Sequence, residues 1–147
     1  MVVFLSIILS CAWLVILIFF ILNIQNTLKA IATHNRKAKP GSAWLILIPV
    51  VGFIWLFMLS KKLSQSIESE LKERDIPVSH NPTYTIGLVY AILNIVMFAA
   101  RLFPLPIIYL LGGLSNLVFF IIYWVKIADY KTMIKEQRHH TAGHDLV

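Results

Sequence analysis

The sequence predicts an all-α integral membrane protein with four apolar helical segments and one amphipathic connector helix. Of 147 residues, 59% are hydrophobic and only 14% are charged, and a water-soluble domain of this size could not bury so much apolar surface. The 13 Lys and Arg residues lie in blocks beside apolar runs, as is typical of bilayer proteins. We therefore read the net charge of +6 as membrane topology and predict no nucleic-acid partner. Residues 1–147 form a single membrane domain.

The first apolar segment covers residues 2–24. Its 23 residues carry no charge and would reach roughly 35 Å as a helix, enough for a hydrocarbon core of ~30 Å. No basic residue precedes it, so we expect it to remain in the mature protein as a membrane span. Directly after it, Ile24, Leu28 and Ile31 recur at helical spacing and predict a short amphipathic stretch on the membrane surface.

The second apolar segment, residues 43–59, has two interpretations. Its 17 residues would reach roughly 25 Å, the short end of the spanning range. Pro49 and Gly52 interrupt it, so it either spans as a kinked helix or turns at these residues and re-enters on the same side. The four-span bundle, with the N terminus and tail cytoplasmic, is the reference interpretation, and three spans plus a re-entrant second segment is the alternative.

The distribution of basic residues favours the alternative. If all four segments span, the Lys and Arg residues divide into five on one side and eight on the other, which is a weak bias. If the second segment re-enters, every Lys and Arg except Arg101 lies on one side, as the retention of positive charge in the cytoplasm predicts. Re-entry would also place Trp44 and Trp55 at one interface, where tryptophan is favoured.

The amphipathic connector helix is predicted over residues 60–75. Leu63, Ile67 and Leu71 repeat every four residues, while charged side chains occupy the other faces and Pro77 ends the pattern. We expect this apolar stripe to pack on its own protein or on a partner. It is our candidate contact for a homo-oligomer or for another membrane protein.

The third and fourth apolar segments, residues 85–103 and 106–125, form a predicted hairpin. Pro104 cannot continue the incoming helix and Pro106 suits the first turn of the next one. The two asparagines of the hairpin lie at similar distances from this turn.

Asn94 and Asn116 are each about eleven residues from position 105, so the antiparallel arrangement predicts equal depth. With Ser115 they form a candidate interhelical polar contact, and Gly112 and Gly113 would allow close packing of the two helices. The alternative is a polar path for an ion or solute.

Candidates for chemistry are sparse. No Asp, Glu or His lies in an apolar segment, which disfavours catalysis and proton-coupled transport. We predict no catalytic residues, no cofactor and no metal site, and a polar tail over residues 128–147. Arg101 either reaches the interface with its guanidinium or contacts an anion or lipid headgroup on the side opposite most other charges.

The run from Lys39 to Trp55 contains a Pro-Gly pair, two tryptophans and an Ile-Pro pair, and the amphipathic stretch from Ser64 to Arg74 follows it. Residues 36–75 thereby resemble small multi-pass bacterial membrane proteins of unknown function. The resemblance implies a recurrent membrane module, and such families have no assigned activity to carry over. We expect the chain in the bacterial inner membrane. We expect a non-enzymatic scaffold or accessory subunit, with a homo-oligomeric channel or small-solute transporter near Asn94 and Asn116 as the alternative.

Overall fold

The protein is helical, as a computed structural model of residues 1–48, 50–100 and 106–144 describes it. Its elements are α1 (Val2–Ala30), a 3₁₀ helix (Pro40–Leu47), α2 (Val51–Glu73), α3 (Tyr84–Ala100) and α4 (Pro106–His144). Those ranges contain no β-strand. The predicted all-helical class is confirmed.

Two helical stretches, Val3–Ala30 and Tyr109–Gln137, are long and apolar enough to cross a membrane. The helix Tyr84–Ala100 is apolar but shorter, at 17 residues. The second predicted segment is divided between two elements. Length and composition therefore support two candidate spans, and four spans are not shown.

The second apolar segment is broken in its middle. The 3₁₀ helix ends at Leu47, α2 begins at Val51, and Val50 between them has a φ of 66°, a conformation that β-branched residues rarely adopt. The backbone N–H of Gly52 donates to the carbonyl of Ile48 at 2.7 Å. A Cβ on Gly52 would overlap the carbonyl oxygen of Ile46, so glycine permits the two arms to lie in contact. We call the two arms, which are the 3₁₀ helix Pro40–Leu47 and the first turns of α2, the broken hairpin. Ile48 and Val50 belong to its tip.

The predicted connector helix is the continuation of α2. The helix passes from its apolar first turns into the amphipathic stretch without interruption and ends at Glu73. Asp75 then adopts a φ of 56°, and the N–H of Ile76 donates to the carbonyl of Leu71 at 3.0 Å. This left-handed residue closes the end of the helix and lies two residues before Pro77.

The elements pack into a ring at one end of the molecule. α3 lies between α2 and α4, α1 contacts α4 and the 3₁₀ helix, and the 3₁₀ helix also contacts α2. We call this region the packed half. Its largest fully buried side chains come from α1, α2 and α4: Phe20, Ile21, Ile24, Leu28, Ile31, Leu59, Leu63, Ile67, Leu71, Tyr123, Ile127 and Ile134.

The expected surface position of the stretch after the first segment is wrong. α1 continues straight through it to Ala30, and Ile24, Leu28 and Ile31 are at most 1% exposed. Their helical spacing does mark one face, but that face meets protein because α2 and α4 pack at this end.

The other half of the molecule leaves its apolar side chains uncovered. We call residues 3–16 of α1, 92–100 of α3 and 107–118 of α4 the exposed half. Every side chain of residues 3–16 is exposed, and most of those described in the other two stretches are as well. α3 and α4 still pack on each other, so the first part of α1 is the least covered helix.

The predicted fourth segment and polar tail form one helix. α4 starts at Pro106, where proline suits the first turn, and continues to His144. Lys131 and Lys135 of the predicted tail are thereby carried on the same helix as a candidate span. Residues 145–147 lie outside the described part of the chain.

Candidate functional site

The connector of residues 31–39 is tied to α2 by Glu70. One carboxylate oxygen accepts the Ala32 N–H at 2.8 Å and the Asn35 side-chain amide at 2.9 Å, and the other pairs with the Arg74 guanidinium. The Glu70 side chain is only 2% exposed. Burial raises its pKa, but the hydrogen bonds outweigh that effect and hold the pKa below 4.5. Glu70 is therefore an ionised acceptor that orders the connector.

Glu68 orders the loop of residues 77–83 in the same way, as an acceptor of hydrogen bonds. Its Oε1 accepts from Lys72 Nζ at 2.6 Å and lies 2.8 Å from His80 Nδ1, and its Oε2 accepts the Asn81 N–H at 2.9 Å. Asn81 reaches this position with a φ of 52°, which asparagine tolerates. The Lys72 hydrogen bond, followed by those from Asn81 and His80, lowers the pKa of Glu68 to about 2.

A third carboxylate extends the cluster toward solvent. Glu73 lies 2.8 Å from His34 Nε2 and also accepts from the Asn35 amide, and these two contacts lower its pKa. On the other side, Arg74 Nη1 donates to the carbonyl of Ile134 at 2.9 Å. We call Glu68, Glu70, Glu73 and Arg74, with their partners, the polar cluster. It joins the end of α2 to the connector that follows α1 and to the late part of α4.

Three helices meet at Gly87. The Tyr123 hydroxyl donates to Ser60 Oγ at 3.1 Å, and Ser60 Oγ donates to the carbonyl of Leu56 at 2.8 Å. A Cβ on Gly87 would lie 2.7 Å from Ser60 Oγ and 2.8 Å from Tyr123 Cζ. The absence of a side chain at Gly87 lets α3 pack against α2 and α4 at this depth.

A buried amide joins α1 to α4. Asn23 Nδ2 donates to the carbonyl of Trp124 at 3.3 Å, and Asn23 Oδ1 accepts from Lys131 Nζ at 2.7 Å. The Thr27 hydroxyl donates to the Asn23 carbonyl at 2.8 Å. Asn23 is 6% exposed, so its pairing satisfies a polar group that would be costly to bury alone.

The tip of the broken hairpin borders a cavity of about 140 Å³, which lies between α1 and α3. Trp13 and Leu17 line it from α1, Tyr90 and Asn94 from α3, and Ile48 belongs to the tip itself. The Asn94 amide donates to the carbonyl of Tyr90 at 2.8 Å. The cavity is therefore mainly apolar, with one amide in its wall.

The predicted polar contact is not assembled as a direct pair. No hydrogen bond in the described ranges joins Asn94 to Asn116, because the Asn94 donor is used within its own helix. Asn116 is half-buried on α4 and Ser115 is exposed. The two glycines differ: a Cβ on Gly112 would overlap the Met97 sulfur of α3, whereas one on Gly113 would meet nothing within 4 Å.

The remaining predicted residues fall into two groups. Gly52 lies at the contact within the broken hairpin, whereas Pro49 and Arg101 lie outside the described residues. The proposed contact stripe of Leu63, Ile67 and Leu71 is 0% exposed and lies in the chain's own core. A partner would have to bind elsewhere on the molecule.

The sequence reasoning missed the buried acidic residue that organises the packed half. Glu70 follows Leu63 by seven residues and Ile67 by three, so helical periodicity places it on the apolar face of α2. A carboxylate on such a face needs a partner in the protein. The burial of Glu70 could therefore have been predicted from the sequence. Its partners Ala32 and Asn35 could not, because no local pattern marks them.

The polar groups of the packed half act mainly on one another. Within residues 1–48, 50–100 and 106–144, no group of three or more His, Cys, Asp or Glu side chains could hold a metal ion. Comparisons with protein-family models, with curated proteins and with solved structures find no match for the chain. The feature of the molecule that points to a function is the contrast between the packed half and the exposed half.

Proposed function

We propose that the chain is a multi-pass protein of the bacterial inner membrane that serves as a non-enzymatic scaffold or accessory subunit. In this proposal the broken hairpin is re-entrant, and the first part of α1 contacts a partner's membrane helix. The contacts of the packed half hold α1 in position. Residues 3–16, in the exposed half, then bind the partner.

Re-entry is supported by which ends of the helices meet. The Glu70 and Arg74 contacts bring the ends of α1 and α2 and the late part of α4 together. The hairpin tip borders the same cavity as Trp13 and Leu17, which lie roughly 20–25 Å along α1 from Ala30 at 1.5 Å per residue. This arrangement supports a segment that enters and returns at the same end. A re-entrant path would leave every Lys and Arg except Arg101 on one side of the membrane, as the positive-inside rule favours.

The observation that carries the scaffold proposal is the exposure of residues 3–16. All of these side chains are exposed, whereas Phe20 and Ile21, one turn later, are 0% exposed. A membrane helix associates through close packing, which small residues allow. Ser6 and Ser10 are one turn apart, and their hydroxyls donate to the carbonyls of Val3 and Ser6 at 2.8 Å. A partner helix can therefore approach without burying an unpaired hydroxyl.

The proposal is tested by photocrosslinking in intact cells. A photoreactive amino acid at Leu9 probes α1, and the same group at Val125 of α4 is the matched control, since the two side chains are 62% and 51% exposed. We expect a discrete protein adduct from Leu9 and only lipid adducts from Val125. The mass of the protein adduct distinguishes a second copy of this chain from a different membrane protein.

Two results would overturn the scaffold proposal. One is lipid labelling alone at both positions together with a monomer in mild detergent. The other is equal protein labelling at Leu9 and Val125, which would indicate random collisions in the membrane. Re-entry is tested separately by impermeant-thiol labelling of Thr33→Cys and Ser79→Cys, two exposed positions on either side of the segment, in a Cys11→Ser background, and it fails if one site is labelled from outside and the other is not.

A homo-oligomeric channel or small-solute transporter is the second candidate, because Asn94 lines the cavity at the hairpin tip. Flux of ions or solutes into liposomes should then be lost in the Asn94→Leu, Asn116→Leu double variant. Flux equal to that of empty liposomes, before any substitution, would exclude this candidate.

A further inference from the structure

A cleft of basic side chains lies between the end of α1 and the late part of α4. A cavity of about 340 Å³ is lined there by Asn26, Lys29 and Ala30 of α1 and by Lys135 of α4. We call it the lysine cleft. Lys131 is one turn before Lys135 on the same face of α4, and its Nζ donates to Asn23 Oδ1 at 2.7 Å.

Among the residues that the structure describes, no carboxylate forms an ion pair with the lysines of the lysine cleft. The ion pairs of the described residues use Glu68, Glu70 and Glu73 and involve none of the three lysines. The acids of α4 nearest in sequence, Asp129 and Glu136, are exposed. At 100° per residue they project from other faces than Lys131 and Lys135. An anion placed in the cleft would meet Lys29 and Lys135 from two helices, with Lys131 one turn away.

The cleft lies near the ends of both candidate spans, Val3–Ala30 and Tyr109–Gln137, where a lipid headgroup would lie. Lys29 lies in the last turn of α1, which is a candidate span. On α4, Trp124 precedes Lys131 by seven residues, roughly 10 Å, and tryptophan is favoured at the membrane interface. Asn23 holds the Lys131 ammonium toward α1, so part of the site is ordered without a ligand.

We propose that the lysine cleft binds the phosphate of one anionic phospholipid, with Lys29 and Lys135 as its principal contacts. A phosphate diester needs compact positive charge without a fixed fork geometry, which lysine supplies. Lipid binding here would hold α1 and α4 together at the same end as the polar cluster. The proposal does not depend on a partner for residues 3–16.

The test measures lipid binding to the whole purified protein in a neutral detergent by native mass spectrometry. Phosphatidylglycerol is titrated against the unaltered chain, against Lys29→Gln with Lys135→Gln, and against the control pair Lys39→Gln with Lys61→Gln. The control removes the same charge from two exposed lysines elsewhere. We expect one bound lipid, and binding about 25-fold weaker in the cleft pair, at roughly fivefold per lysine. The control pair should stay within about twofold of the unaltered chain.

Several outcomes would overturn the proposal. Equal loss in the control pair would mean general surface charge, and equal binding of phosphatidylcholine would mean that charge is not recognised. Displacement of the lipid by millimolar inorganic phosphate would mean that a free anion is the ligand. If the glutamine pair fails to fold, Lys29→Arg with Lys135→Arg keeps the charge and must still prefer phosphatidylglycerol; loss of that preference would overturn the proposal too.

Discussion

The packed half and the exposed half are built from similar apolar residues but have different neighbours. In the packed half, α1 is surrounded by α4 and the broken hairpin, and Phe20, Ile21 and Ile24 are fully buried. In the exposed half, the same helix leaves Val3, Phe4 and Leu5 at least 58% exposed. The difference shows that hydrophobicity alone does not decide whether a side chain faces protein or lipid. The position of α2 and the 3₁₀ helix decides it, because they pack on the packed half and reach only the border of the exposed half, where Phe53 meets Phe98.

Polar groups follow the same division. In the packed half, buried polar side chains such as Glu70 and Asn23 are paired across elements. In the exposed half, the hydroxyls of Ser6 and Ser10 are satisfied within their own helix. We therefore expect substitutions to act on folding in the packed half and on assembly in the exposed half.

The largest effect is expected from Glu70→Ala. This change leaves Arg74 without its carboxylate and the Ala32 N–H without an acceptor, so the free energy of unfolding should fall by about 3 kcal/mol. The measurement is unfolding of the purified protein in mixed micelles. Glu73→Ala, on the same helix but exposed, is the control and should change stability little. Equal effects from the two would remove the distinction between buried clamp and surface contact.

A smaller effect is expected from Gly87→Ala. The added Cβ would crowd Ser60 and Tyr123, and overpacking of this kind costs about 1–3 kcal/mol. Gly113→Ala is the matched change in the exposed half, where the new Cβ meets nothing within 4 Å. It should stabilise the helix by up to about 1 kcal/mol. The comparison breaks down if both alanines act in the same direction.

The pH dependence of stability should report Glu68. Because its pKa falls from 4.5 to about 2 on folding, the ionised carboxylate stabilises the folded state fully above pH 4.5. That contribution is lost as the pH falls toward 2. The difference in unfolding midpoint between the unaltered chain and Glu68→Gln should therefore shrink over this range. A difference that stays constant from pH 6 to pH 2 would contradict the assigned role.

The smallest effect is expected from Ile8→Val in the exposed half. Ile8 is 48% exposed, whereas Ile67 is 0% exposed. Ile67→Val should cost about 1 kcal/mol, in the usual range for a deleted core methylene, and Ile8→Val should cost almost nothing for the isolated chain. If Ile8→Val instead destabilises a complex recovered from membranes, residues 3–16 pack against a partner.

Much of the fold was predictable because it depends on local composition. The helical class, the apolar segments and the break near Pro49 and Gly52 follow from hydropathy, length and proline chemistry. The spacing of Leu63, Ile67 and Leu71 also marked a real apolar face. Periodicity predicts that this face must be covered, but it does not predict which part of the protein or which partner covers it.

The candidate site was less predictable. Asn94 and Asn116 are at matching distances from the turn, yet the Asn94 amide bonds within its own helix, because a helix offers the carbonyl four residues earlier as a nearby acceptor. Gly112 but not Gly113 lies at the α3–α4 contact. One residue of helix rotation separates these outcomes, and no sequence pattern specifies that rotation.

By itself, the amino-acid sequence determined the helical elements, the apolar character of the candidate spans and the concentration of Lys and Arg beside them. Each of these depends on neighbours within a few helical turns. Only the tertiary structure decided that Glu70 meets Ala32, that Tyr123 meets Ser60 and that Lys29 faces Lys135. These contacts join residues 38, 63 and 106 positions apart, so they exist only once the broken hairpin has turned back and all the helices pack at one end.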